Sequence, residues 1–198
     1  MNAISTVNSQ ARLFRPALPG LLAAVLTILF GFGLGIVFGL NEDLIKGRLK
    51  QSATEVRESV YHGDDAAAKT VLDKSWAYMQ RAHLHAGALG ATALGLILVG
   101  VVMGMSTAWT RLVSFSLGFG AFSYSIFWLF AGLRAPGLGG TTAAKESLRL
   151  LAMPSSGALV VGTLAVLSFI GIAMISQPRA TVKQPFTEKE HYEENTVQ

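Results

Sequence analysis

Four stretches of this chain stay free of charge for too long to belong to a water-soluble fold. Residues 17–40 run for 24 positions without a charge, and 86–110 contain no ionisable side chain. A helix needs about 20 apolar residues to cross a hydrocarbon core, where every backbone polar group must be satisfied within the segment. The segments 18–40, 84–105, 112–133 and 154–176 meet that length. With 51% hydrophobic and 14% charged residues, the composition agrees. The expected fold class is therefore an all-α integral membrane protein with four transmembrane helices. Arg12 and Arg15 precede the first apolar run in the manner of a leader, but the run exceeds the roughly 7 to 15 residues of a signal-peptide core. A retained helix is expected there.

The connections are unequal. Between the first two spans, helical spacing persists through Leu44, Ile45, Leu49, Val56 and Val60, and again through Ala68, Val71, Leu72, Trp76 and Met79. Apolar residues thus fall on one face of each arm. Gly63 suits a helix C′ position, and Asp64 or Asp65 an N-cap. The first two helices are accordingly expected to extend into an extramembrane antiparallel helical hairpin over 41–83, with arms projecting roughly 25 to 30 Å at 1.5 Å per residue. The arms carry seven Lys/Arg and seven Asp/Glu, the pattern of a solvated helix face. The last connection begins with Ala135-Pro136-Gly137-Leu138-Gly139-Gly140. An interfacial helix over 143–151 is expected before the fourth span. Residues 1–17 and 177–198 read as tails, the second disordered, with two prolines and four glutamates.

Charge and cysteine content narrow the function classes. There are no cysteines, which removes thiolate metal sites, iron–sulfur clusters and cysteine nucleophiles. A net charge of +4 without a basic stripe interleaved with aromatics argues against nucleic acid and for contact with the lipid bilayer. Orientation signals conflict. Ten Lys/Arg lie in the two long connections against six elsewhere, while Arg12 and Arg15 flank the first span.

Arg81-Ala82-His83-Leu84-His85 marks the mouth of the second span. Ionisable side chains entering hydrocarbon are costly and mark candidate sites. Residues two apart on a helix point about 200° from each other, so His83 and His85 cannot chelate one ion. His85 shares a face with Tyr78, Arg81 and Leu89, and His83 shares one with Trp76, Gln80, Gly87 and Gly90. If the hairpin turns at His62 and Gly63 without a register shift, Glu42 and Asp43 come level with His83, with Arg134 and Glu146 able to approach from the last connection. The candidate set is His83, His85, Glu42 and Asp43, supported by Arg81 and Tyr78. Such a set suits haem or a divalent transition metal, or carries protons, or simply ties the helices together as an ion-pair network. No catalytic residue is assigned.

The run Ala82-His83-Leu84-His85-Ala86-Gly87-Ala88-Leu89-Gly90 resembles the Ala-His-x-His helix start, followed by Leu-Gly, of membrane proteins similar to the haem–copper oxidase catalytic subunit. The likeness covers residues 82–101. It implies that a helix histidine ligates haem or copper. The other spans contain no histidine, so a bis-histidine haem between two helices of one chain, and with it the full oxidase reading, is excluded. A single axial ligand, a site shared between copies or a coincidence of sequence remains.

Gly31, Gly35 and Gly39 in the first span, with Gly87 and Gly90 in the second, are expected to let helix backbones approach closely. The third span is aromatic, with Phe115, Phe119, Phe122 and Phe130 along one stripe. That stripe suits lipid, core, or the face of a quinone or tetrapyrrole. The expected function is that of a non-enzymatic accessory or assembly subunit of a larger complex in a bacterial-type plasma (inner) membrane, meeting other membrane proteins or itself. The alternative is a metal- or haem-binding redox or sensor protein. A transporter or proton pathway is disfavoured because the helix centres offer no ionisable residue.

Overall fold

The computed structural model describes residues 11–176, and among these every regular element is helical. A 3-10 turn, Arg15–Ala17, leads into α1 (Leu18–Glu55), followed by α2 (Arg57–Val60), α3 (Asp65–Val102), α4 (Thr107–Arg134), α5 (Thr141–Ser147) and α6 (Arg149–Ile175). Helices α1, α3, α4 and α6 are long and apolar enough to cross a membrane. The expected tail over 1–17 is corrected in its described part, which is already helical and buries Ala17 against the bundle. The expected tail over 177–198 lies outside the described residues.

α1 and α3 contain 38 residues each, about 57 Å of helix against roughly 30 Å of hydrocarbon. Nothing at the foot of either arm breaks the ladder except Asn41, whose backbone (φ −130°, ψ 28°) kinks α1 where its uncharged run ends. The two helices continue past the length of a span as one antiparallel pair. Their turn forms as the residues dictate. His62 and Gly63 take left-handed conformations, and the Asp64 carboxylate caps α3 by accepting from the Ala66 and Ala67 amides at 2.9 Å.

α4 is the central helix, packing against α1, α3 and α6, whereas α6 rests chiefly on α4. In lipid there is little hydrophobic drive between helices, so close backbone approach supplies the packing. A Cβ on Gly31 would stand 2.9 Å from the Gly87 nitrogen, and one on Gly90 2.7 Å from Ile28 Cγ1. Gly39 and Gly87, expected in the same role, have open space where a Cβ would lie. Gly87 offers its backbone to Gly31 instead. The tightest crossing was not foreseen: Gly20 of α1 lies against the backbone of Ser114, and Gly118 of α4 against Gly20.

Two further expectations change. The arms do not project freely, because α4 runs up beside α3 until Gly132 meets Ser75 and Met79. The 135–140 turn then reaches the hairpin tip, where the Tyr61 hydroxyl donates to the Pro136 carbonyl at 2.7 Å. The interfacial helix over 143–151 is also corrected: α5 ends at Ser147, Leu148 forms the break, and 149–153 belong to α6 with Pro154 inside it. Proline there removes only the bond to Leu150 near the helix start. The Ser155 and Ser156 hydroxyls bond back to the Leu151 and Ala152 carbonyls at 2.6 and 2.8 Å.

Candidate functional site

His83 and His85 sit on opposite sides of α3, as helix geometry requires. His83 faces α1, where its Nδ1 lies 2.8 Å from the Gly31 carbonyl oxygen. A carbonyl only accepts, so this nitrogen is the donor and Nε2 is left as the acceptor. Gly35 makes room for the ring, since a Cβ there would stand 2.8 Å from His83 Cε1. The Gly-x-x-x-Gly spacing of α1 thus accommodates both a neighbouring backbone and an imidazole.

His85 faces α4. Its Nδ1 lies 2.8 Å from the Arg81 carbonyl one turn back, and its ring lies 5.9 Å from Tyr124 and 5.6 Å from Trp128. The Arg81 guanidinium stands 5.1 Å from the Tyr78 ring centroid and 5.3 Å from that of Trp128. Tyr78 and Trp128 meet edge to face at 4.9 Å. Arg81, Tyr78 and His85 therefore share one face, as expected, and close it against the aromatic end of α4. Cation–π contacts of this kind contribute about 0.5 to 2 kcal/mol each, depending on desolvation. The Trp128 indole N–H is buried without a hydrogen-bond partner among the described residues.

Glu42 and Asp43 are not brought to His83. The pairing of the arms slides along their length: Arg57 meets Asp65 at the tip, Phe38 meets Trp76 below the Asn41 kink, and Gly31 meets His83. The turn centres nearer Tyr61 than Gly63, and the kink adds to the offset. His83 consequently lies level with Gly31 and Gly35, about two to three helical turns from Glu42 along α1. Glu42 is exposed and paired with Lys46 on its own helix, a contact worth a few tenths of a kcal/mol. Asp43 is exposed. Glu146 pairs with Arg149 at 3.3 Å, and Arg134 is exposed at the end of α4. Among the described residues no three His, Asp or Glu side chains are grouped to hold a metal ion.

Sequence patterning passed over the charged lock at the hairpin tip. Arg57 binds Asp65 through Nε at 2.8 Å and Nη2 at 3.1 Å, reaches the Gly63 carbonyl at 3.1 Å, and contacts Glu58. Hydrogen bonding to Arg57, and then its charge, hold the Asp65 carboxyl below the usual carboxylate range. Arg57 is correspondingly held above its own usual range, first by Asp65. Burial pushes the Tyr61 phenol up. The only signal in the sequence was an arginine and an aspartate eight residues apart across a glycine turn.

Among the described residues the fold is all-α, with four helices long and apolar enough to cross a membrane, the class of an integral membrane protein. Compared with family models, curated proteins and solved structures, the chain has no match.

Proposed function

We propose that this chain is a non-enzymatic accessory or assembly subunit of a larger complex in a bacterial-type plasma (inner) membrane. In this reading the 41–83 hairpin stands outside the hydrocarbon and presents a preformed surface to other membrane proteins or to a second copy. The observation that carries it is the way the hairpin is fixed. It is tied at the tip by Arg57 and Asp65, on the flank by Tyr61 and Pro136, and at the root by His83 and Gly31. A rigid surface loses little entropy on binding, so weak polar contacts along it suffice for recognition. The polar groups at the mouth of α3 meet neighbouring helices, which suits packing better than turnover.

Migration in mild detergent tests the proposal. Lys50 and Lys69 line a cleft between the two arms. The full chain is expected in a species larger than its own micelle, which reversal of these two lysines to glutamate reduces to the lone protein. A chain that runs alone before any substitution refutes it.

A second reading is a haem or metal protein, and a specific observation favours it. Both imidazoles use Nδ1 on a backbone carbonyl and keep Nε2 as the acceptor, the orientation in which ligating histidines are commonly held. His83 and His85 face different helices, so each would serve a separate site. A Soret band or stoichiometric metal in gently purified protein, lost in His83→Ala or His85→Ala, supports this reading. A colourless, metal-free protein removes it.

A further inference from the structure

At the end of the bundle opposite the hairpin, three arginines line one cleft without an acid among the described residues. Arg12 and Arg15 come from the start of the chain's helical run and Arg111 from the first turns of α4. Together with Thr107 and Thr110 they line a cleft of about 420 Å³. Every Asp and Glu among the described residues lies within 42–73 or at 146, on the hairpin side, and none forms an ion pair with these three guanidinium groups. Like charges gathered at a membrane surface repel, and an anion seated among them offsets that cost.

The cleft supplies donors of a particular kind. Guanidinium forks match the paired oxygens of a phosphate, and it is the apolar walls beside them that favour a phosphate carried on a lipid. Thr107 lines the same space. Ser106 makes no side-chain cap on the 28-residue α4, so the first amides of that helix add partial positive charge. The remainder of the lining is apolar, including Leu13, Pro16 and Met105. Met105 also borders a groove of about 350 Å³ between α4 and α6, walled by Trp109, Val113 and Phe169.

The geometry points to a binding site for the phosphate of an anionic phospholipid at Arg12, Arg15 and Arg111. The cleft holds the headgroup where α1 and α4 enter their uncharged spans, and the apolar lining and neighbouring groove receive the chains. Free phosphate shares the headgroup chemistry but has no use for the apolar walls.

The test uses the full-length protein in phosphatidylcholine nanodiscs containing a minor fraction of phosphatidylglycerol, with retained lipid counted by native mass spectrometry after detergent exchange. Wild-type protein is expected to retain phosphatidylglycerol over phosphatidylcholine. Each Arg→Gln change costs about tenfold in affinity, as loss of a charge-assisted contact does. R12Q/R15Q/R111Q then falls to the phosphatidylcholine level, while the hairpin-side control R48Q/K74Q/K145Q, three exposed cations with equal charge loss, matches wild type. Unchanged helical circular dichroism and elution show that the variants are folded, and single R111Q serves if the triple variant is not. Retention unaffected by the arginine changes, or lost equally in the hairpin control, overturns the site. Arginine-dependent binding of inorganic phosphate to lipid-free protein, without preference for phosphatidylglycerol, overturns the lipid assignment. Phosphatidylglycerol binding that emerges only when 177–198 are deleted also overturns it, because the tail glutamates would then be the occupant.

Discussion

Gly31 and Gly33 stand two residues apart on α1, and the same substitution at each should have opposite effects. Alanine raises helix propensity by about 1 kcal/mol at either position. At Gly33 the new methyl meets nothing within 4 Å, so the gain stands alone. At Gly31 the methyl would lie 2.9 Å from the Gly87 nitrogen and 3.1 Å from Ala86 Cβ. Backbone cannot rotate away as a side-chain tip can, so α1 and α3 must separate. Overpacking of this kind costs about 1 to 3 kcal/mol. Separation also lengthens the 2.8 Å bond from His83 to the Gly31 carbonyl. Interhelical hydrogen bonds in membranes contribute about 0.6 to 1.7 kcal/mol. Net of propensity, Gly31→Ala is expected to destabilise by about 1 to 4 kcal/mol, while Gly33→Ala stabilises by up to about 1. Reversible unfolding in mixed micelles, followed by helical circular dichroism against denaturing detergent fraction, reads both. Repeating the series with His83→Ala isolates the imidazole: its removal should cost less in the Gly31→Ala background than in wild type. If the two alanine variants agree within about 0.5 kcal/mol, a difference no larger than ordinary surface substitutions produce, the close approach of α1 to α3 is not what holds this pair.

Three further outcomes concern the hairpin and the aromatic face. Because Arg57 depresses the Asp65 carboxyl, its contribution is complete above the ordinary aspartate pKa of 3.8 and disappears as pH falls through the lower folded value. Protection factors of the 61–66 amides, corrected for intrinsic exchange, should therefore fall in acid, and Arg57→Gln should abolish that acid-dependent fall; an unchanged pH profile would remove the lock. Tyr61→Phe should loosen the 135–140 turn by about 0.5 to 1.5 kcal/mol, the worth of one hydrogen bond, read as faster exchange at Leu138 and Gly140. Arg81→Ala should shift Trp128 fluorescence and cost about 0.5 to 2 kcal/mol through lost cation–π contact; an unaltered spectrum in a Trp76→Phe, Trp109→Phe background would contradict the stacking.

Elements governed by local chemistry were legible in the sequence. The four apolar runs, the Asp64 cap and the division of His83 from His85 follow from helix period and residue type alone. What escaped depends on distance between helices. Glu42 and Asp43 missed His83 because the Asn41 kink and the true centre of the turn slide one arm against the other, which no periodicity records. Gly39 looks identical to Gly35 in a Gly-x-x-x-Gly pattern, yet only Gly35 faces an imidazole. Pro154 reads as a helix start, but the chain breaks earlier, at Leu148, and α6 begins at Arg149 with the proline inside it. The arginine cleft was invisible for the same reason: its members lie about a hundred residues apart and meet only when α1 crosses α4 at Gly20 and Gly118.

The bond from Tyr61 to Pro136 joins residues 75 positions apart. The second arm is complete only at residue 83, so at a synthesis rate of about 5 to 20 residues per second the paired arms exist for roughly 3 to 11 s before the carbonyl that secures them has been made. The flank of the hairpin is therefore bare while the chain is young and becomes covered once α4 has taken its place.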